Sequence, residues 1–261
     1  MKRRSVIASL ALVSWWVCAC GGGGGGGGTA TTPTTPTIPT TPTTPTATVA
    51  HGLWTGTTSS RRALTALVFD DGSYHLFYSG ADNPTTVAGV IQGSGSGVDG
   101  AFASTDGKDF NLEGSGIRAT SVSASVVAGQ SFSGSLAGGE TVTFNATYDT
   151  AFDTEASLAG LAGGFGGPLA SASGETLYVS LDIAGDGVLS GDGNGCVLAG
   201  SAQPHAGTNA WDVTIAFSAD TCPLTGQSFA GVAHADAEGK LRLAAVDGGR
   251  SDAVLFLGTR R

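Results

Sequence analysis

"TVTFNATY", residues 141–148, decides the fold class. Val142, Phe144, Ala146 and Tyr148 fall on one side of an extended chain, and Thr141, Thr143, Asn145 and Thr147 on the other. Successive side chains of a strand point to opposite faces, so this period of two reads as a strand with one buried and one wet face. The pattern recurs. "LYVSLDI" puts Leu177, Val179, Leu181 and Ile183 on one face, and "WDVTIAF" does the same with Trp211, Val213, Ile215 and Phe217. "DFNLE" sets Phe110 and Leu112 against Asp109, Asn111 and Glu113, which predicts the first pair in a core and the others in water. Half-wet strands of this kind belong to antiparallel sheets.

Turn signals separate the runs: "DDG" at 70–72, "VDG" at 98–100, "DGK" at 106–108, "AGG" at 137–139, "GDG" at 185–187 and "AEGK" at 237–240. Roughly seven or eight strands are expected in each half of the chain beyond residue 50. The expectation is an all-β, Gly-rich antiparallel barrel or sandwich, either as one body or as two similar small β-domains in tandem. "GLWTG" at 52–56 opens the first half and "GGFGG" at 163–167 the second; "GQSFSG" at 129–134 is like "GQSFAG" at 226–231. The offsets disagree, so a duplication would require insertions. One helical turn is expected at the junction, capped by Asp153 or Thr154, running through Leu158 and Leu161 and ending at Gly163 and Gly164. The boundaries read as 51–150 and 151–261.

The first fifty residues have a different character. Lys2, Arg3 and Arg4 precede an apolar run from Val6 to Val17. That run is short of the roughly 20 residues that span a bilayer and has the layout of a signal peptide, residues 1–19. "VCAC" then offers an aliphatic residue, two small residues and Cys20. Gly21 to Gly28 behave as a flexible coil spanning about 16 Å, and the 22 residues of the Thr/Pro tract would reach about 70 Å if extended. Prolines at 33, 36, 39, 42 and 45 match the three-residue turn of polyproline II. Residues 20–50 therefore read as a disordered tether, and its threonines as sites open to O-glycans.

The chain carries a net charge of −9; removal of Lys2, Arg3 and Arg4 with the signal leaves nine basic against 21 acidic residues, or −12. Nucleic acid and anionic lipid both call for basic clusters, so neither is expected as a partner. Catalytic and metal-binding patterns are not found. His51, His75, His205 and His234 have no ligand spacing, "GSGSG" at 93–97 has glycine where a nucleophile elbow needs serine, and "SGDGNG" at 190–195 lacks the acidic ligands of a calcium loop and reads as a hairpin turn. No cofactor, metal or catalytic residue is expected; clustering of Asp70, Asp71 and His75 in a pocket would favour an enzyme.

Beyond residue 20 the chain has two cysteines, Cys196 and Cys222. In an exported chain such a pair is expected to be bridged. A hairpin of "CVLAGSA" and "WDVTIAF" would set both at its open end, whereas zinc would need more ligands than two cysteines.

The lipobox-like "VCAC", the glycine run, the Thr/Pro spacer, "GLWTG", "FDDGSYHLFYSG", "DFNLEGSG" and "GCVLAGSAQP" resemble a group of uncharacterised lipoproteins of Gram-negative bacteria. That resemblance implies export, diacylglyceryl attachment at Cys20 and, with glycine rather than aspartate after it, the outer membrane. A looser similarity in composition and architecture links the chain to the Gly-rich barrel lobes of surface lipoproteins such as factor H-binding protein and transferrin-binding protein B. "GLWTG" is also similar to the opening of lipocalins, though Trp54 reads more simply as an aromatic plugging a barrel. Two functional classes stay open: a binding module for an unidentified protein or small molecule at the surface or in the periplasm, and a structural or assembly lipoprotein of the envelope.

Overall fold

The computed structural model describes residues 50–114 and 116–261, and the segments read above as signal and tether lie outside them. Strands β1 (Gly52–Thr58), β2 (Ala63–Val68), β3 (Ser73–Tyr78), β4 (Gly89–Ser94), β5 (Ser96–Val98), β6 (Ala101–Asn111), β7 (Gly116–Val127), β8 (Ser131–Ala137) and β9 (Thr141–Tyr148) form one antiparallel sheet. Pairing of β4 with β6 closes eight of these strands into a barrel, and the short β5 extends β6 beyond the ring. A 3-10 turn at Thr150–Asp153 and a four-residue helix α1 (Leu158–Leu161) follow. Strands β10 (Gly163–Ser171), β11 (Thr176–Ile183), β12 (Val188–Gly193), β13 (Cys196–Pro204), β14 (Trp211–Ser218), β15 (Ser228–Ala235), β16 (Lys240–Val246) and β17 (Ala253–Arg260) close a second barrel. Both rings are up-and-down meanders, closed by β1 on β9 and by β10 on β17.

The fold is thus the all-β tandem of two barrels, built from nine strands in the first half and eight in the second. "GLWTG" and "GGFGG" both lie in the first strands of their barrels. The two "GQSF" segments lead into β8 and β15, which hold different places in their rings. Their likeness therefore does not mark equivalent positions, which accounts for the discordant offsets.

Alternation fills both interiors as the strands foretell. Leu177, Val179, Leu181 and Ile183 of β11 and Trp211, Val213, Ile215 and Phe217 of β14 all point into the second barrel. Trp54, Phe102, Phe132 and Phe144 fill the first, the rings meeting mostly edge to face. The strands β2, β3 and β4 are buried on both faces. Their outer face, with Leu67, Phe77 and Val90, joins Leu53 of β1, Phe69 of the β2–β3 turn and Phe110 of β6 and packs with Val232, Ala244, Ala253 and Leu255 from the outer face of β15, β16 and β17. This barrel–barrel layer explains the near-continuous apolar runs "YHLFY", "LAAV" and "AVLF".

The layer also corrects the reading of "DFNLE". Phe110 is buried, but on the outside of its barrel, while Asp109 and Asn111 share the inner face. The cause is a bulge between Ser104 and Gly107, where one extra residue of β6 shifts the register against Val122 and Thr120. Phe102 and Ser104 point inward before it; Gly107 and Asp109 take that place after it. The expected helical cap is corrected too. Asp149 caps the 3-10 turn by accepting from Ala151 N, and Ser157 caps α1 by accepting from Gly160 N at 3.1 Å. Arg260 donates to the carbonyls of Ala162 (2.7 Å) and Gly160 (2.8 Å), satisfying the helix C-terminus before Gly163.

Candidate functional site

The two barrels are stoppered differently. In the second, α1 lies over one end: Leu161 is fully buried and Trp211 Nε1 donates to Ser157 O at 3.2 Å. At the other end Cys196 and Cys222 are joined, with Cα atoms 4.5 Å apart, and Leu224 is buried beside them. The β13–β14 hairpin pairs Val197 with Ser218 through Pro204 with Trp211, so the bridge stands at its open end, as the hairpin reading requires. In the first barrel Trp54 closes the end where the chain comes in. It is fully buried, donates from Nε1 to Ala50 O at 2.8 Å and packs edge-on against Tyr148.

The opposite end of the first barrel is open. A cavity of about 370 Å³ is lined there by Thr58, Arg62, Tyr78, Asp109, Arg118 and Glu140, over an apolar floor of Leu64, Ile91, Leu136 and Val142. Strand register assembles its polar wall. Tyr78 pairs with Gly89 across β3 and β4, Gly89 with Asn111 across β4 and β6, and Asp109 with Arg118 across β6 and β7. Gly89 supplies the passage: a β-carbon there would stand 2.1 Å from Tyr78 Oη. The Tyr78 ring therefore lies across the glycine and reaches β6, where its hydroxyl donates to Asp109 Oδ1 at 2.6 Å and accepts from Asn111 Nδ2 at 3.0 Å. Tyr74 repeats the device over Gly93, its hydroxyl 2.9 Å from Ser104 Oγ. Arg62 stacks over the Tyr78 ring at 5.5 Å, donates to Ser79 O at 2.8 Å and pairs with Glu113 at 2.6 Å.

Burial controls the electrostatics of this wall. It raises the Asp109 carboxyl above its ordinary range, against the opposing pull of the Tyr78 hydrogen bond, Arg118 and Arg62. Burial, and then the Asp109 charge, push the Tyr78 phenol far up, so it stays a donor at any ordinary pH. The mouth therefore presents an oriented carboxylate, guanidinium groups and an apolar floor. That combination suits recognition of a small polar ligand or a partner's side chain.

Cys20 lies outside the described residues. Asp70 and Asp71 sit in the β2–β3 turn, where Asp71 Oδ1 accepts from Ser73 N at 2.8 Å. His75 lies instead on the outer face of β3 in the barrel–barrel layer, influenced by burial and Arg250. Among the described residues no group of three or more His, Cys, Asp or Glu is placed to hold a metal. "GDGNG" forms the β12–β13 hairpin, with Asn194 and Gly195 at φ of 48° and 82° between paired Gly193 and Cys196.

No family model matches the chain, and no curated protein matches it. Among solved structures, isotype 1 transferrin binding protein B from serogroup B Neisseria meningitidis aligns at 9% identity with a TM-score of 0.29. The alignment covers 76% of this chain and 66% of that one, just under two thirds of its length. Likeness at this level carries nothing about function.

Proposed function

We propose that the chain is a membrane-anchored binding module rather than an enzyme, and that its ligand enters the open mouth of the first barrel. The observation that carries this reading is the asymmetry of the barrels. One is filled and covered at both ends, while the other keeps a polar cavity of about 370 Å³ at the end opposite to Trp54. In this reading residues 1–19 are a signal peptide, Cys20 carries the lipid that anchors the chain in the outer membrane, and 20–50 is the tether. Domains 51–150 and 151–261 are then presented to the periplasm or the surface, with the mouth at the end of the first barrel opposite to Trp54. The partner is a small molecule or a protein, not nucleic acid.

The test is a thermal-shift screen of the chain against amino acids, short peptides, sugars and organic acids, run in parallel on Asp109→Asn. The reading expects at least one compound that raises the Tm of the wild type and loses that effect in the variant. Compounds that shift both proteins equally, or none that shift the wild type, overturn it. Protease shaving of intact cells separates surface from periplasmic placement.

A further inference from the structure

All four histidines of the chain stand where the two barrels meet. His51 packs edge-on against Phe152 at 4.9 Å, and the His205 ring of the second barrel lies 4.1 Å from Phe69 of the first. His234, on the outer face of β15, bonds through Nδ1 to Asn209 O at 3.0 Å. Carboxylates attend these three. Burial, the largest influence, lowers the pKa of His51 and of His234; Asp70 and Asp153 oppose it at His51, which also feels His205, and the Asn209 carbonyl, Asp236 and Asp149 oppose it and Arg242 at His234, while Asp212 Oδ1 stands 3.0 Å from His205 Nδ1.

His75 is different. Its cross-strand partners are Leu67 and Gln92, it is buried, and the charge acting on it is the cation of Arg250. Arg250 belongs to the loop between β16 and β17. Asp247 shapes that loop by accepting from Gly249, Ser251 and Asp252 N, and Arg250 itself has a left-handed φ of 52°. The side chain crosses to the first barrel. Nη1 donates to Asp106 Oδ1 at 3.0 Å, and Nη2 to the carbonyls of Gln92 (2.7 Å) and Asp106 (2.8 Å). Lys108 of β6 returns a bond to Arg250 O at 2.8 Å. Around this seat His75 Nδ1, Gln92 Oε1 and Arg250 Nε are buried without a hydrogen-bond partner. The groups facing His75 and its neighbour are thus two cations, Arg250 and Lys108, and one carboxylate, Asp106, already engaged by Arg250.

We propose that this junction is an acid-sensitive joint: proton uptake by His75 sets a second cation against Arg250, which leaves its seat on β4 and β6 and lets the barrels part while each stays closed. The sign follows from burial. Desolvation first, then Arg250, depress the His75 pKa from 6.5 to about 4. The closed junction therefore binds the proton less readily than the parted one. Its advantage is complete above pH 6.5 and is lost as pH falls toward 4. Between pH 7.5 and 5.0 the balance shifts toward the parted form by about 30-fold.

Scanning calorimetry of the full chain tests this. At pH 7.5 the barrels should melt in one coupled transition, and at pH 5.0 in two. His75→Gln, which cannot take up the proton, should keep one transition at both. Should that variant fail to fold, Arg250→Ala serves, with two transitions expected at pH 7.5 and no further change on acidification. A wild type that keeps a single transition at pH 5.0, a His75→Gln protein that splits as the wild type does, or an Arg250→Ala protein still coupled at pH 7.5 overturns the proposal.

Discussion

Gly89→Ala adds a single methyl group and should disable the mouth. The new carbon would stand 2.1 Å from Tyr78 Oη, 2.2 Å from Tyr78 Cζ and 2.8 Å from Phe110 O. No adjustment of tenths of an ångström relieves the first two contacts, so the tyrosine must swing off β4. It then gives up its 2.6 Å bond to Asp109 and its 3.0 Å bond from Asn111. Loss of a hydrogen bond to a charged group costs about 1.5–3 kcal/mol. Overpacking adds about 1–3 kcal/mol. Replacing a strand glycine by alanine returns roughly 0.5–1 kcal/mol. The net expectation is a loss of about 1.5–5.5 kcal/mol, read from urea unfolding. In a Tyr78→Leu background most of the clash is gone and the same substitution should cost about 1 kcal/mol or less, so a double-mutant cycle should show strong coupling. A Gly89→Ala protein within about 0.5 kcal/mol of wild type, or equal costs in both backgrounds, would refute the glycine passage as the reason Tyr78 reaches β6.

Replacing Cys196 and Cys222 by alanine opens a loop of 26 residues and should lower stability by about 3 kcal/mol, seen as a lower Tm at pH 7.5. Alkylation of both cysteines in unreduced native protein would contradict the bridge. Cys20→Ala should release the chain from the membrane fraction or leave it unprocessed; fatty-acid labelling that persists in the variant would defeat the anchor.

Legibility from sequence followed the physics of each element. β11 and β14 could be read because their inner faces are apolar and their outer faces wet, which is the signature that alternation detects. In β6 alternation was visible, but its meaning was not. A one-residue bulge exchanges inside and outside at mid-strand, and a covered outer surface can be as apolar as an interior. The polar wall of the mouth was missed for a related reason. Tyr78, Asp109 and Arg118 come together only through the register of four strands. A signal was present in "SYHLFY" and "GVIQGSG", where two tyrosines four residues apart on β3 face two glycines four residues apart on β4. Aromatic rings laid over cross-strand glycines are a known way of pinning register. The disulfide was legible because hairpin pairing fixes both its ends.

The central claim, that the first barrel is the binding barrel, is tested most directly by mapping where a ligand lands. Backbone amide resonances of the chain, followed during titration with compounds that raise its Tm, should shift at Arg62, Tyr78, Asp109, Arg118 and Glu140 and stay still in β10 to β17. Shifts centred on the second barrel, or binding that survives intact in Asp109→Asn, would contradict it.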